Sequence, residues 1–199
     1  LELDNYQVES FFQPSAYLSG DWYDYWKLNE DEVLFYLADV SGHGVTSSLL
    51  TSWMAAFHGR SKTPKELIQK LNTMLVQENI EKHITMVAGI LNTITNEVQW
   101  CSAGHYPPPI IFEPDQAPQI LSTSSFPLGL IEDLDIQEHR CVLNCHARFI
   151  VCSDGALELY DGGLNDQFNQ LVEHLQKNAF KAPDHVADDI AILSLCRMN

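Results

Sequence analysis

Four aspartate positions fall where apolar, strand-like runs begin or end. Asp39 closes the run Val33–Val40 and precedes Ser41-Gly42-His43-Gly44. Asp154 follows Phe149–Ser153 and precedes Gly155. Asp188-Asp189 leads into the last apolar run, and Gly20-Asp21 leads into an aromatic one. One such aspartate is simplest as a turn or helix cap. Several carboxylates gathered at one end of buried strands repel one another unless some are protonated or a cation joins them. Hard oxygen donors of this kind select Mg²⁺ or Mn²⁺. The pattern therefore points to a carboxylate metal centre.

Gly42 and Gly44 flank His43 at a helix start, where a glycine turn lets backbone carbonyls approach a metal or N–H groups meet a phosphate; by itself the segment also reads as a plain tight turn. Other catalytic patterns are missing from the sequence: no G-x-S-x-G elbow, no G-x-x-x-x-G-K-[ST] loop and no H-E-x-x-H. Ser41 and His43 are too close along a turn to form a nucleophile–base pair. His105, after Ala103-Gly104, reads as a structural histidine bonded to loop backbone. The aromatics Trp22, Tyr23, Tyr25 and Trp26 read as strand packing. The five cysteines are odd in number and scattered, as reduced thiols of a cytoplasmic protein would be, and Cys141-x-x-x-Cys145-His146 is too loose for a zinc knuckle.

The elements that must position these residues can be read from periodicity. Tyr6–Phe12, Trp22–Leu28 and Val33–Val40 predict strands, the last covered on both faces. Leu49, Leu50, Trp53, Met54 and Phe57 recur at helical spacing. Thr63-Pro64-Lys65-Glu66 is a helix start, followed by a stripe of Leu67, Ile68, Leu71, Met74 and Leu75. Thr85–Asn92 and Glu97–Ser102 predict a hairpin turning at Thr95-Asn96. Ile110–Phe112 is a short strand, and 113–125 a Pro- and Ser-rich surface excursion. Ile136–Leu143 and Arg148–Cys152 predict a second hairpin. Phe168, Leu171, Val172 and Leu175 mark a late helix, and Ile190–Cys196 a final strand. Strands on both sides of a helix pair predict an α+β sandwich with mainly antiparallel sheets.

Composition narrows the function. In 199 residues, 11 Lys and Arg stand against 27 Asp and Glu, a net charge of −16, which disfavours nucleic-acid and anionic-membrane partners. No run is long and apolar enough to span a bilayer, and the first residues, Leu-Glu-Leu-Asp-Asn, lack the basic start and apolar stretch expected of a signal peptide. It does not start with Met, so the expectation is a piece of a longer protein.

Six strings in order, Ser19-Gly-Asp-Trp-Tyr-Asp24, Ala38-Asp-Val-Ser-Gly-His-Gly44, Ser102-Ala-Gly-His-Tyr-Pro-Pro-Pro109, Pro127-Leu-Gly129, Ser153-Asp-Gly155 and Asp188-Asp-Ile-Ala191, resemble the bacterial SpoIIE/RsbU branch of the metal-dependent (PPM) protein serine/threonine phosphatases. The resemblance covers the chain from about Tyr6 to its end. It implies a four-layer αββα sandwich and one phosphatase domain over 1–199, the C-terminal part of a longer regulatory protein. It implies two Mn²⁺ or Mg²⁺ ions per active site, with Asp39, Asp154 and Asp188 as the catalytic carboxylates. Asp39 would bridge the ions, the Val40 carbonyl would bind one, and Asp21 would bind an ion or its water. Asp189, His43 and Gly42 would stand behind these ligands, with Asp189 ranked below Asp188. Departures are Ser19 in place of the usual first glycine, Ala156-Leu157-Glu158 after Asp154-Gly155, and a short stretch between Glu158 and Asp188 that trims the outer helical face.

The activity implied is hydrolysis of phosphoserine or phosphothreonine on a regulator such as an anti-sigma-factor antagonist of the STAS type. No Arg lies in the motifs, so the ions would do most of the phosphate binding. The implied partners are that phosphoprotein and an N-terminal receiver or sensor domain, as in a response regulator; a homodimer stays open. The rival reading is a non-catalytic phosphatase-like adaptor that binds a protein partner, which the retained carboxylates argue against.

Overall fold

The computed structural model describes residues 2–3, 5–42, 44–78, 80–177 and 180–199. The strands are β1 (Glu2–Leu3), β2 (Tyr6–Gln13), β3 (Asp21–Lys27), β4 (Glu32–Val40), β5 (Ile84–Asn92), β6 (Glu97–Ala103), β7 (Ile110–Phe112), β8 (Gln119–Ile120), β9 (His139–Val142), β10 (Arg148–Cys152) and β11 (Ile190–Arg197). The helices are α1 (Val45–Ala55), α2 (Pro64–Gln77) and α3 (Leu164–Gln176), with a 3-10 turn at Asp154–Ala156. The strands form a six-stranded sheet, β1-β2-β11-β10-β7-β8, and a five-stranded sheet, β3-β4-β5-β6-β9. All pairings are antiparallel.

The two-residue period of the strands sorts side chains into layers. On β4, Val33, Phe35 and Leu37 meet Phe149, Val151, Leu193 and Leu195 of the other sheet, and this seam is the central core. The Phe35 and Phe149 rings meet edge-on across it at 5.8 Å, each burial contributing about 1.5–3 kcal/mol. The alternate residues Leu34, Tyr36 and Ala38 face outward, under Leu50 and Met54 of α1 and Leu67, Ile68 and Leu71 of α2. On the far side, Ile150, Cys152, Ile190 and Ile192 lie under Leu171 and Leu175 of α3. The layers are thus helices, sheet, sheet, helix, the αββα order expected, with the α3 side the thinner.

The start of α2 matches its sequence signature. Thr63 Oγ1 accepts from the Glu66 N–H at 3.1 Å, with Pro64 in the first turn, and such a cap contributes about 1 kcal/mol. The β5–β6 hairpin closes through Asn96 at φ 59°, a conformation asparagine tolerates. Trp22 and Trp26 pack under the helices while Tyr23 and Tyr25 turn to the seam, so the aromatic cluster is strand packing.

Two expectations change. Ile136–Leu143 and Arg148–Cys152 are not a hairpin: β9 borders β6 in one sheet, and β10 lies between β7 and β11 in the other. Burial explains the split. β9 alternates as a half-exposed edge strand, whereas Phe149–Cys152 is covered on both faces, so the turn near His146 (φ 62°) carries the chain across the sandwich. On α1, only Leu50 and Met54 of the apolar set are buried among the helix's own residues, while Leu49 and Trp53 are exposed.

Candidate metal centre

The antiparallel order brings the start of β3, the end of β4, the end of β10 and the start of β11 to one end of the sandwich. Asp21 and Asp39 are directly opposite each other on β3 and β4. Their parity with Tyr23 and Leu37 turns both toward the seam between the sheets. Asp154 opens the 3-10 turn after β10, and Asp188 and Asp189 precede β11. A cleft of about 290 Å³ lies among them, lined by Asp39, Asp154, Asp188 and Asp189 and by the Val40–Gly42 backbone. Asp21 lies behind this wall, buried against Asp39. The sequence-predicted residues thus converge, with the exception of His43, which lies outside the described residues.

The carboxylates differ in their surroundings. Asp21 is 3% exposed, and its Oδ2 has no hydrogen-bond partner. Burial, and then the Asp39 charge, push its carboxyl well above the ordinary range. Burial pushes Asp39 up to about 7, with Asp154, Asp188 and Asp189 adding to the effect. Asp154 is raised by burial and by Asp188, and Glu158 by burial and by Asp188 and Asp154. Asp189 is the contrast. Its Oδ1 accepts from the Ser15 N–H (2.7 Å) and hydroxyl (2.9 Å), and its Oδ2 from the Gly20 N–H (2.8 Å). Burial opposes its charge, but these donors outweigh burial and hold the carboxyl below its usual value. Asp189 therefore ties the loop before β3 to β11, while the neighbouring Asp188 is only half-buried and accepts one N–H, from Asp189.

Two glycines allow this closeness. A Cβ on Gly155 would lie 2.1 Å from the Asp189 carbonyl oxygen, so only glycine lets the turn pack on β11. A Cβ on Gly20 would press on the carbonyl oxygens of Val40 at 3.0 Å and Gly42 at 3.3 Å. The Ser153 hydroxyl accepts from the Ala191 N–H at 2.9 Å and locks the two strand ends together.

His105 has the structural role its sequence context suggested, but a specific one. Buried, it bonds Thr85 Oγ1 at 3.1 Å and the Cys152 carbonyl at 2.9 Å, joining the two sheets behind the cleft. Thr85 is itself opposite Asp39. Sequence reasoning missed Ser15, Lys82, His83 and Thr85 near the site. They come from loops and a strand without a chemical signature, and only the pairing of β4 with β5 brings the last three there.

The donor chemistry suits a hard divalent cation: several carboxylates, backbone carbonyls, and one buried carboxylate oxygen without a partner. Among the described residues no three His, Cys, Asp or Glu side chains close into a ready-made ligand set; the carboxylates stand around the cleft.

A sequence model of the SpoIIE family, Stage II sporulation protein E, matches residues 29–197. The chain belongs to the SpoIIE family. A curated relative, phosphoserine phosphatase RsbP of Bacillus subtilis (strain 168), is 27% identical over 165 residues, 78% of this chain and 40% of the relative. The chain thus spans about two fifths of that relative's length. Among solved structures, the RsbU and RsbW domains of Rv1364c from Mycobacterium tuberculosis match 97% of this chain and 60% of theirs, with a TM-score of 0.80 and 21% identity. RsbX in complex with magnesium matches over 98% of this chain and 97% of its own, with a TM-score of 0.73 and 16% identity. At these identities the two structures speak for the fold.

Proposed function

We propose that residues 1–199 form a metal-dependent protein serine/threonine phosphatase module whose site is the cleft of Asp39, Asp154 and Asp188. The observation that carries this reading is the convergence of carboxylates from both sheets on one cleft, with the buried Asp21 oxygen unpartnered beside it. Family membership and the name of the RsbP relative support it.

A phosphoserine brings close to two negative charges at neutral pH. Among the described residues the cleft wall offers carboxylates and no Lys or Arg, so the dianion needs cations to bind there. Asp39, Asp154 and Asp188, with the Val40 carbonyl, would hold two Mn²⁺ or Mg²⁺ ions, and Asp21 would hold an ion or its water. When bound, such ions supply positive charge for the phosphate and a water that loses its proton more easily. The chain's own work is to keep these oxygens convergent. Asp189 anchors the Ser15–Gly20 loop, Gly155 permits the close turn, and His105 braces the sheets.

The substrate in this reading is a phosphorylated STAS-type antagonist, recognised by docking outside the cleft, in cytoplasmic signalling under an N-terminal receiver or sensor domain. The test measures phosphate release from the folded phosphoprotein and from its phosphopeptide, with Mn²⁺ and with chelator. Turnover that needs Mn²⁺ and prefers the folded protein is expected. Turnover surviving exhaustive chelation refutes the metal reading, and equal turnover of the peptide refutes docking.

A further inference from the structure

One ammonium group reaches the loop that forms the floor of the acidic cleft. Lys82, half-buried in the segment before β5, donates from Nζ to the Ser41 carbonyl at 2.6 Å. The next residue holds the rest of Ser41. The Ser41 N–H donates to the His83 carbonyl at 2.9 Å, and the Ser41 hydroxyl accepts from the His83 N–H at 3.1 Å. Ser47, in the first turn of α1, donates to the Gly42 carbonyl at 2.7 Å and closes the loop from the other side.

These bonds fix the direction of a proposed ligand. The Ser41 N–H and the Val40 carbonyl belong to one planar trans peptide, so they point in opposite directions. With the N–H held by His83, the Val40 carbonyl is turned away from β5. The following peptide, Ser41–Gly42, is set by Lys82 gripping its oxygen. The Ser47 hydroxyl also reaches that oxygen, at 3.4 Å, so the shorter Lys82 bond is the stronger hold on the Ser41 carbonyl and, through it, on the Ser41–His83 pairing that orients the Val40 peptide. Gly42, at φ +70°, leaves room for the ammonium: a Cβ there would lie 2.9 Å from Nζ.

We propose that Lys82 is a positioning residue for divalent-cation binding, tethering Ser41 so that the Val40 carbonyl stays aimed as a ligand. The proposal rests on the metal reading of the cleft. Its consequence has a sign that a bare charge effect would not give. A positive charge beside an acidic cleft repels cations, so removing it raises cation affinity on electrostatic grounds alone. Loss of the tether lowers it.

The experiment is calorimetric titration of Mn²⁺ into metal-free wild type, Lys82→Met and Lys82→Arg, with amide hydrogen exchange of Ser41 followed in the same samples and thermal unfolding as a check on folding. For Lys82→Met, the expected result is Mn²⁺ affinity about tenfold weaker, equivalent to about 1.4 kcal/mol, and faster exchange at Ser41. Lys82→Arg, which keeps charge and donors, should recover most of both. Unchanged or tighter Mn²⁺ binding by a folded Lys82→Met overturns the tether and leaves the metal site standing. A wild type that binds no Mn²⁺ overturns the metal reading and the proposal with it, a distinct outcome.

Discussion

Replacing His105 by Leu tests how the two sheets are held together behind the cleft. The Cys152 carbonyl can only accept, so Nε2 must carry the proton, and in the neutral ring Nδ1 then accepts from the Thr85 hydroxyl. Leucine fills much of the ring's volume but leaves that carbonyl and hydroxyl without partners. An orphaned buried polar group costs about 1–3 kcal/mol, so the variant should lose about 2–4 kcal/mol at neutral pH. The pH dependence is the sharper signature. Burial, partly opposed by the Cys152 carbonyl, pushes His105 down from 6.5 to about 4. The unfolded chain therefore binds more protons between these values. The contribution is fully present above about pH 6.5 and is lost as pH falls toward about 4, a total of about 3 kcal/mol.

The assay is urea unfolding of metal-free wild type and His105→Leu between about pH 4 and about pH 7. Asp21, Asp39 and Asp154 act in the opposite sense, because their folded values are raised and acid favours the fold through them. They are common to both proteins, so the difference between the two curves isolates His105. That difference should shrink by about 3 kcal/mol on acidification across this range. A penalty that stays constant with pH would refute the buried neutral imidazole and the brace built on it.

Asp39→Asn should abolish Mn²⁺-dependent turnover by orders of magnitude, yet stabilise the metal-free protein. Asp39 is raised to about 7, so its contribution is present below the unfolded value of 3.8 and lost as pH rises through 7. Relief of that loss is worth about 2–4 kcal/mol above neutral pH, read as a higher urea midpoint in chelator. Asp188→Asn and Asp189→Asn should separate. The first should lose turnover with little change in stability. The second should lose about 1–3 kcal/mol, because the amide cannot accept the donors of Ser15 and Gly20 as the carboxylate does. Unfolding and turnover measured on both variants would refute this division if Asp188→Asn were the less stable.

Much of this arrangement is legible in the sequence because it depends on local rules. The Thr63-Pro64-Lys65-Glu66 start of α2, the Asn96 turn and the period-2 run of β4 announce themselves in residue types. The aspartates are legible too, since a carboxylate at the end of a buried strand is out of place there. What could not be read is which strands are neighbours. The β9 and β10 segments look like a hairpin because a short polar turn joins them, and nothing in that turn says that it crosses the sandwich. Lys82 and His83 are equally silent: their role comes from β5 lying beside β4, a pairing between residues far apart in the chain.

The same distinction explains the two adjacent aspartates before β11. In sequence they are equivalent. In the fold, Asp189 shares the inward parity of Ala191 and Leu193, so it enters the seam and must find donors, which the Ser15–Gly20 loop supplies. Asp188, in the bend one residue earlier, lines the cleft with Asp39, Asp154 and Asp189. The difference lies in the donors: Asp189 is an anchor that accepts from the Ser15 N–H and hydroxyl and the Gly20 N–H, whereas Asp188 accepts from the Asp189 N–H. The anchor also serves the cleft, because the loop it holds carries Gly20 against the Val40 carbonyl, while the N–H of the same peptide, on Ser41, is held by the His83 carbonyl on the other side.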